Sequence, residues 1–340
     1  MRTRRPLAIA SAIVLAGALL GAVPVSAAPP PTVERIAGSD RFETSAAIAA
    51  KRTLPYLIGD GVIYVANGLN FPDALAAAPA AAFQDGQLLL TAPTVLPASV
   101  RNQIIRLRPD QIIVVGGETN VSASVYAQLA SLAPNIKRIA GADRYETSRL
   151  IVADAFGGSI TSHYAYVATG RNFPDALSAA ATAGMYGSPV ILVDGLSGAV
   201  DSTTISLLDS LGITDIALLG SSASMSFGIE NSLDAQLFID DVVRFAGADR
   251  YETSAMLNAR WVVAAPTVFI ATGENFADAL SGAAYAGALG APLYISPSRC
   301  LTRGVFEELL RLVPQDVVLL GSEASLGQHV AYLNPCDELE

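Results

Sequence analysis

Apolar and polar positions along this chain switch regularly between a strand period and a helix period. A short strand is expected near Val33 to Ala37, then a helix from Arg41 to about Arg52 and a buried strand at Gly61-Val62-Ile63-Tyr64-Val65-Ala66. A helix follows from about Phe71 to Phe83, and Leu88-Leu89-Leu90-Thr91 forms the next strand. A further helix, starting near Pro97, carries Val100, Ile104 and Leu107 on one face. Gln111-Ile112-Ile113-Val114-Val115 is the last strand, closed by Gly116-Gly117 before a helix with Val125, Leu129 and Leu132 on one face. Runs of apolar residues inside strands that alternate with helices predict a parallel sheet covered on both faces. The unit is therefore expected to be a doubly wound α/β module of about four strands.

The same order returns twice. Ala165-Tyr166-Val167-Ala168 and Val268-Phe269-Ile270-Ala271 match the second strand, and Pro189-Val190-Ile191-Leu192 and Pro292-Leu293-Tyr294-Ile295 match the third. Ile216 to Ser221 and Val317 to Ser322 match the last strand and its turn. The motif Arg35-Ile36-Ala37-Gly38-Ser39-Asp40-Arg41-Phe42-Glu43-Thr44-Ser45 recurs nearly unchanged at Arg138 to Ser148 and Arg244 to Ser254. Asp40, Asp143 and Asp249 are 103 and 106 residues apart, which is the period of a small domain rather than of a solenoid unit. The chain divides into residues 1–27, 28–134, 135–240 and 241–340, the last three being tandem α/β modules.

In the first motif, Asp40, Asp143 and Asp249 are placed to cap the following helix, and Glu43, Glu146 and Glu252 to complete a capping box. That reading leaves out Arg41, Arg144 and Arg250, cations in a first helical turn that oppose the helix dipole. Each arginine either pairs with a carboxylate across the sheet end or holds an anionic group of a ligand. A second motif, Asn67-Gly68-Leu69-Asn70-Phe71-Pro72-Asp73-Ala74-Leu75, recurs at Thr169 to Leu177 and Thr272 to Leu280. It follows a strand and opens a helix, at the carboxyl edge where doubly wound sheets bind ligands. Asn70 reads as a cap with Pro72 in the first turn, and Ala277, in place of that proline, is expected to loosen the third copy. Gln87 in place of a proline, and Ser221 and Ser322 in place of the second turn glycine, are further departures that predict unequal sites.

Composition narrows the function classes. A hydrophobic fraction of 51% with 7% aromatic residues implies aliphatic, Ala-rich cores, one per module. Arg2, Arg4 and Arg5, an apolar run from Leu7 to Val23 and Val25-Ser26-Ala27 read as a cleaved secretory leader over residues 1–27. Without it the formal charge is −13, which argues against a nucleic-acid partner and requires any anionic ligand to be met by positioned arginines. No membrane attachment is expected after cleavage. Cys300 and Cys336 are the only cysteines, and an exported chain permits them to form a disulfide. His163 and His329 occupy non-equivalent positions, so neither a repeated metal site nor a cofactor site is expected. Three equal copies favour binding over catalysis, because linked weak sites gain avidity on a repetitive polymer.

The two motifs and the Pro-Val-Ile-Leu type strand, in fixed order three times, resemble the cell wall-binding repeat type 2 of Gram-positive surface proteins and wall-hydrolase partners. The resemblance implies three modules packed about a pseudo-threefold axis, in a secreted, non-enzymatic protein held at the cell wall. Its expected partner is an anionic wall polymer, teichoic-acid-like or another wall glycopolymer associated with peptidoglycan, with room for a protein cargo. The residues expected to line the binding grooves are Arg41, Arg144, Arg250, Asp73, Asp175, Asp278, Asn70, Asn172 and Asn275. Helices after the three aspartates are rich in Ala, Gly and Ser and are expected at the module interface. The alternatives are a wall hydrolase of amidase type or its accessory subunit, and an extracellular solute-binding protein.

Overall fold

In each repeat the opening strand pairs outside the repeat that carries it. The computed structural model describes residues 29–51, 61–70, 72–158 and 162–338; the expected leader at 1–27, the end of the first helix at Arg52 and the start of the next at Phe71 lie outside these. The first repeat runs β1 (Thr32–Ile36), α1 (Arg41–Lys51), β2 (Val62–Asn67), α2 (Ala77–Phe83), β3 (Gln87–Thr91), α3 (Ala98–Leu107), β4 (Gln111–Val115) and α4 (Ala123–Ala130). The second runs β5 (Asn135–Ile139), α5 (Arg144–Phe156), β6 (Tyr164–Thr169), α6 (Pro174–Met185), β7 (Val190–Val193), α7 (Ser202–Ser210), β8 (Asp215–Leu219) and α8 (Phe227–Asp234). The third runs β9 (Asp241–Phe245), α9 (Arg250–Trp261), β10 (Thr267–Thr272), α10 (Ala277–Ala288), β11 (Leu293–Ser296), α11 (Arg303–Leu312), β12 (Asp316–Leu320) and α12 (Gln328–Ala331).

These strands form three four-stranded parallel sheets, ordered β3-β2-β4-β5, β7-β6-β8-β9 and β11-β10-β12-β1. Thus β5 and β9 complete the sheet of the repeat before them, and β1 closes the circle on the last repeat, with Val33 opposite Val317. The three strands that each repeat contributes to its own sheet are buried on both faces, whereas the added edge strands β1, β5 and β9 are partly exposed. In the first, Tyr64, Ala66, Leu88 and Leu90 face the alanines of α2, while Ile63, Val65, Leu89, Ile112 and Val114 pack with Val100, Ile104, Val125 and Leu129 of α3 and α4. No helix among the described residues is long and apolar enough to cross a membrane.

The inner helices α2, α6 and α10 pack on one another at the centre of the three modules. Their small residues permit backbone approach. A Cβ on Gly184 would stand 2.5 Å from that of Ala82, and one on Gly287 would stand 2.9 Å from the Ala181 carbonyl oxygen. One helix departs from expectation. The region from Phe71 was expected to be helical, but Pro72 to Ala76 form turns and α2 begins only at Ala77. Pro79 is the physical reason, because it has no N–H for the Leu75 carbonyl and its ring crowds that oxygen. Ala181 and Ala284 occupy the matching positions, and α6 and α10 start in full at Pro174 and Ala277.

The third copy is not loosened by Ala277. Helices α6 and α10 both have 12 residues, and the residues before them, Phe173 and Phe276, have φ of −104° and −105°. Cys300 and Cys336 form a disulfide that ties the C-terminal residues to the segment before α11. Crowding at the centre is directly testable. Gly184→Val should cost about 1–3 kcal/mol through overpacking, read as a lower urea midpoint; an unchanged midpoint would show that the close helix contact carries no stability.

Candidate functional site

Most letters of the first motif hold the fold. The Arg35, Arg138 and Arg244 guanidiniums donate to the carbonyls of Gly321, Gly116 and Gly220, fastening the turn after the preceding repeat's last strand. Asp40 Oδ1 accepts from the Phe42 and Glu43 N–H groups at 2.8 Å, and Asp143 and Asp249 do the same at α5 and α9. Glu43, Glu146 and Glu252 accept from the N–H of Ser39, Ala142 and Ala248, so the return bond of the box lands one residue before the cap. A Cβ at Gly38 would stand 2.3 Å from that of Glu43, which is why only glycine fits there. Thr44 accepts from the Gly38 N–H, and Ser45 Oγ accepts from the Leu90 N–H on the third strand.

What remains converges on three clefts at the carboxyl edges of the sheets, beside the point where strand order reverses. Each cleft is built from two repeats. Asn70 and Asp73 of the first meet Asp143 and Arg144 of the second. Asn172 and Asp175 of the second meet Asp249 and Arg250 of the third, and Asn275 and Asp278 of the third meet Asp40 and Arg41 of the first. The volumes are about 230, 170 and 120 Å³ respectively. At roughly 30 Å³ per water molecule, each takes a small functional group rather than a large molecule.

The three arginines are half-buried. Nη1 of Arg41, Arg144 and Arg250 donates to the carbonyls of Gly68, Gly170 and Gly273 at 2.8, 2.6 and 2.8 Å. Arg41 also lies over Phe276 and Arg250 over Phe173, each 5.8 Å from the ring centre, so the cation of one repeat rests on an aromatic of the one before. The structure thus adds a partner beyond the two that the sequence offered: the first acceptor of each arginine is a backbone carbonyl. Among the described residues, four of its five N–H donors stay available for other acceptors.

The aspartates sit deeper. Asp278 is only 6% exposed. Burial pushes the carboxyls of Asp73, Asp175 and Asp278 above the ordinary carboxylate range, and hydrogen bonds from Asn120, Ser224 and Ser325, with the charges of Arg144, Arg250 and Arg41, pull the other way. Room for each carboxylate comes from a glycine with positive φ, Gly116 (94°), Gly220 (107°) and Gly321 (103°). A Cβ there would lie 2.3–2.6 Å from the aspartate Oδ2. The second turn glycine is a different matter: a Cβ on Gly117 meets nothing within 4 Å, so Ser221 and Ser322 are accommodated.

Asn70, Asn172 and Asn275 line the clefts, but they are not caps; α6 and α10 are preceded by Phe173 and Phe276, and in the first repeat the cap position of α2 is Ala76. The residues that sequence reasoning missed are Asn120, Ser224 and Ser325, the partners of the buried aspartates. Their signal was positional, always four residues after the turn glycine, and the change from Asn to Ser obscured it. Among the described residues no three His, Cys, Asp or Glu side chains come together as metal ligands.

With this geometry in place, comparison with known proteins is specific. A family model for cell wall binding domain 2 (CWB2) matches residues 35–126, 138–230 and 244–331. N-acetylmuramoyl-L-alanine amidase LytC of Bacillus subtilis (strain 168) is 26% identical over 300 residues, covering 88% of this chain and 57% of that protein. Amidase enhancer of the same organism is 31% identical over 257 residues, 74% of this chain and 33% of that one. The chain thus spans between a third and three fifths of these curated relatives. Cwp6 and Cwp8 from Clostridium difficile superpose with TM-scores of 0.79 and 0.77, each at 25% identity, over 90% and 89% of this chain and 48% and 51% of theirs.

The buried carboxyls give a stability test with a definite sign. A raised folded-state pKa means that the folded chain holds the proton more tightly than the unfolded one, so stability falls as pH rises from the ordinary carboxylate range through the raised value. Asp278→Asn should therefore melt higher than the parent at pH 7, with the difference closing as the pH is lowered through that window. A variant that melts lower at pH 7 would mean that the carboxylate supports the fold.

Proposed function

The chain belongs to the cell wall binding domain 2 family, and from that membership we propose that it attaches non-covalently to an anionic cell-wall polymer through its three clefts. The observation that carries the reading is the recurrence, three times on one body, of an arginine from one repeat beside a buried or half-buried aspartate from its neighbour. In this reading the free N–H donors of Arg41, Arg144 and Arg250 take a phosphate or carboxylate of the polymer. Asp73, Asp175 and Asp278, with Asn70, Asn172 and Asn275, take the hydroxyls of the neighbouring sugar or polyol. The formal charge of −13 without residues 1–27 opposes a polyanion at long range, so attachment relies on these local cations. Linked clefts then raise the strength of a weak single contact by orders of magnitude on a repeating chain.

Under the same proposal the protein is exported by its leader, resides at the cell wall or surface, and acts by binding rather than catalysis, because three linked copies of one cleft gain avidity on a repeating polymer. A second reading, an accessory to wall hydrolysis, draws on the relatedness to an amidase and to an amidase enhancer. Co-sedimentation with purified walls, with muropeptide release followed in the same tubes, separates the two. The parent protein should pellet without releasing muropeptides, and should cease to pellet once anionic polymers are stripped. Replacing Arg41, Arg144 and Arg250 together by Ala should weaken pelleting at least about tenfold with the circular dichroism spectrum unchanged; undiminished pelleting of the folded variant would overturn the assignment.

A further inference from the structure

Resting on that reading, we propose that the three clefts are ranked, and that the cleft between the first and second repeats is the principal polymer site, its strength set by Gly117 and Asn120. The recurring motifs are nearly identical in the three copies, so the difference comes from the turn after the fourth strand, which neither motif includes. In the first repeat that turn reads Gly117, Thr119 and Asn120 where the others have Ser221, Ala223 and Ser224, or Ser322, Ala324 and Ser325.

Each change acts in the same direction. Gly117 lacks the side chain that Ser221 and Ser322 extend into the matching cleft walls, and this cleft is the largest, about 230 Å³ against 170 and 120 Å³. An amide carries two N–H donors and an acceptor, so Asn120 can donate to Asp73 and still offer a donor and an acceptor to a ligand. A serine hydroxyl has one proton; Ser325 gives its own to Asp278, and Ser224 shares its own between Asp175 and the Ser221 carbonyl. Thr119 adds a hydroxyl to the lining where the other copies have alanine. Exposure differs as well: Asp73 and Asp175 are half-buried, whereas Asp278 is 6% exposed. A ligand therefore reaches Asp73 with less rearrangement than Asp278.

The test is co-sedimentation with purified walls of variants that interchange the clefts. Gly117→Ser with Asn120→Ser gives the first cleft the serines that the third has at those two positions, and a Cβ at Gly117 meets no atom within 4 Å, so the fold tolerates it. It should weaken binding by about tenfold, the cost of one lost hydrogen bond to a charged group. Ser221→Gly with Ser224→Asn should strengthen binding. Arg144→Ala should cost at least several times more affinity than Arg41→Ala or Arg250→Ala. Equal losses from the three single arginine variants, or no loss from the Gly117/Asn120 double variant, would overturn the ranking while leaving wall binding intact. If the parent protein does not pellet, the wall-binding reading itself fails, and the ranking with it.

Discussion

The structure depends on the parallel pairing of each repeat's opening strand with the last strand of the repeat before it. Because β5 lies beside β4, β9 beside β8 and β1 beside β12, the Gly-x-Asp-Arg segment that follows each opening strand is delivered to the neighbour's carboxyl edge. No repeat holds a complete cleft of its own. The pairing also closes the chain on itself, since Arg35 reaches across 286 residues of sequence to the Gly321 carbonyl. Closure over so long a loop adds little entropy cost beyond that of a shorter one, because the penalty grows only with the logarithm of length.

Within that frame nearly every repeated residue has a mechanical task, and the exceptions are the residues proposed to bind. Capping, turn fastening and strand anchoring account for Asp40, Glu43, Arg35, Thr44 and Ser45 and their counterparts. Burying a carboxyl beside a left-handed glycine is instead a cost to the fold, incurred three times over. The arginine meets one backbone carbonyl and one ring and keeps its remaining donors. The buried carboxyl, and beside it a cation with donors to spare, are the features on which the proposed ligand site rests.

Much of this was legible in the sequence. The 103- and 106-residue periods, the apolar strands and the Ala- and Gly-rich inner helices pointed to three packed α/β modules. Periodicity could not say which sheet an opening strand joins, because the same pattern fits pairing within a repeat or across the boundary. The late start of α2 followed from Pro79, whose effect is local and absent from the other copies. Asn70, Asn172 and Asn275 looked like caps by residue type, yet the backbone begins each helix further on. Asn120, Ser224 and Ser325 stayed hidden because the hydrogen-bond task is shared while the residue type is not.

Amide hydrogen exchange of the protein with and without purified cell walls tests the central claim, that the polymer is held at clefts shared between consecutive repeats. Exchange should slow at all three carboxyl edges, in the loops entering α1, α5 and α9 and in the turns after β4, β8 and β12. Slowing confined to the outer helices α3, α7 and α11, with those edges unchanged, would contradict the account.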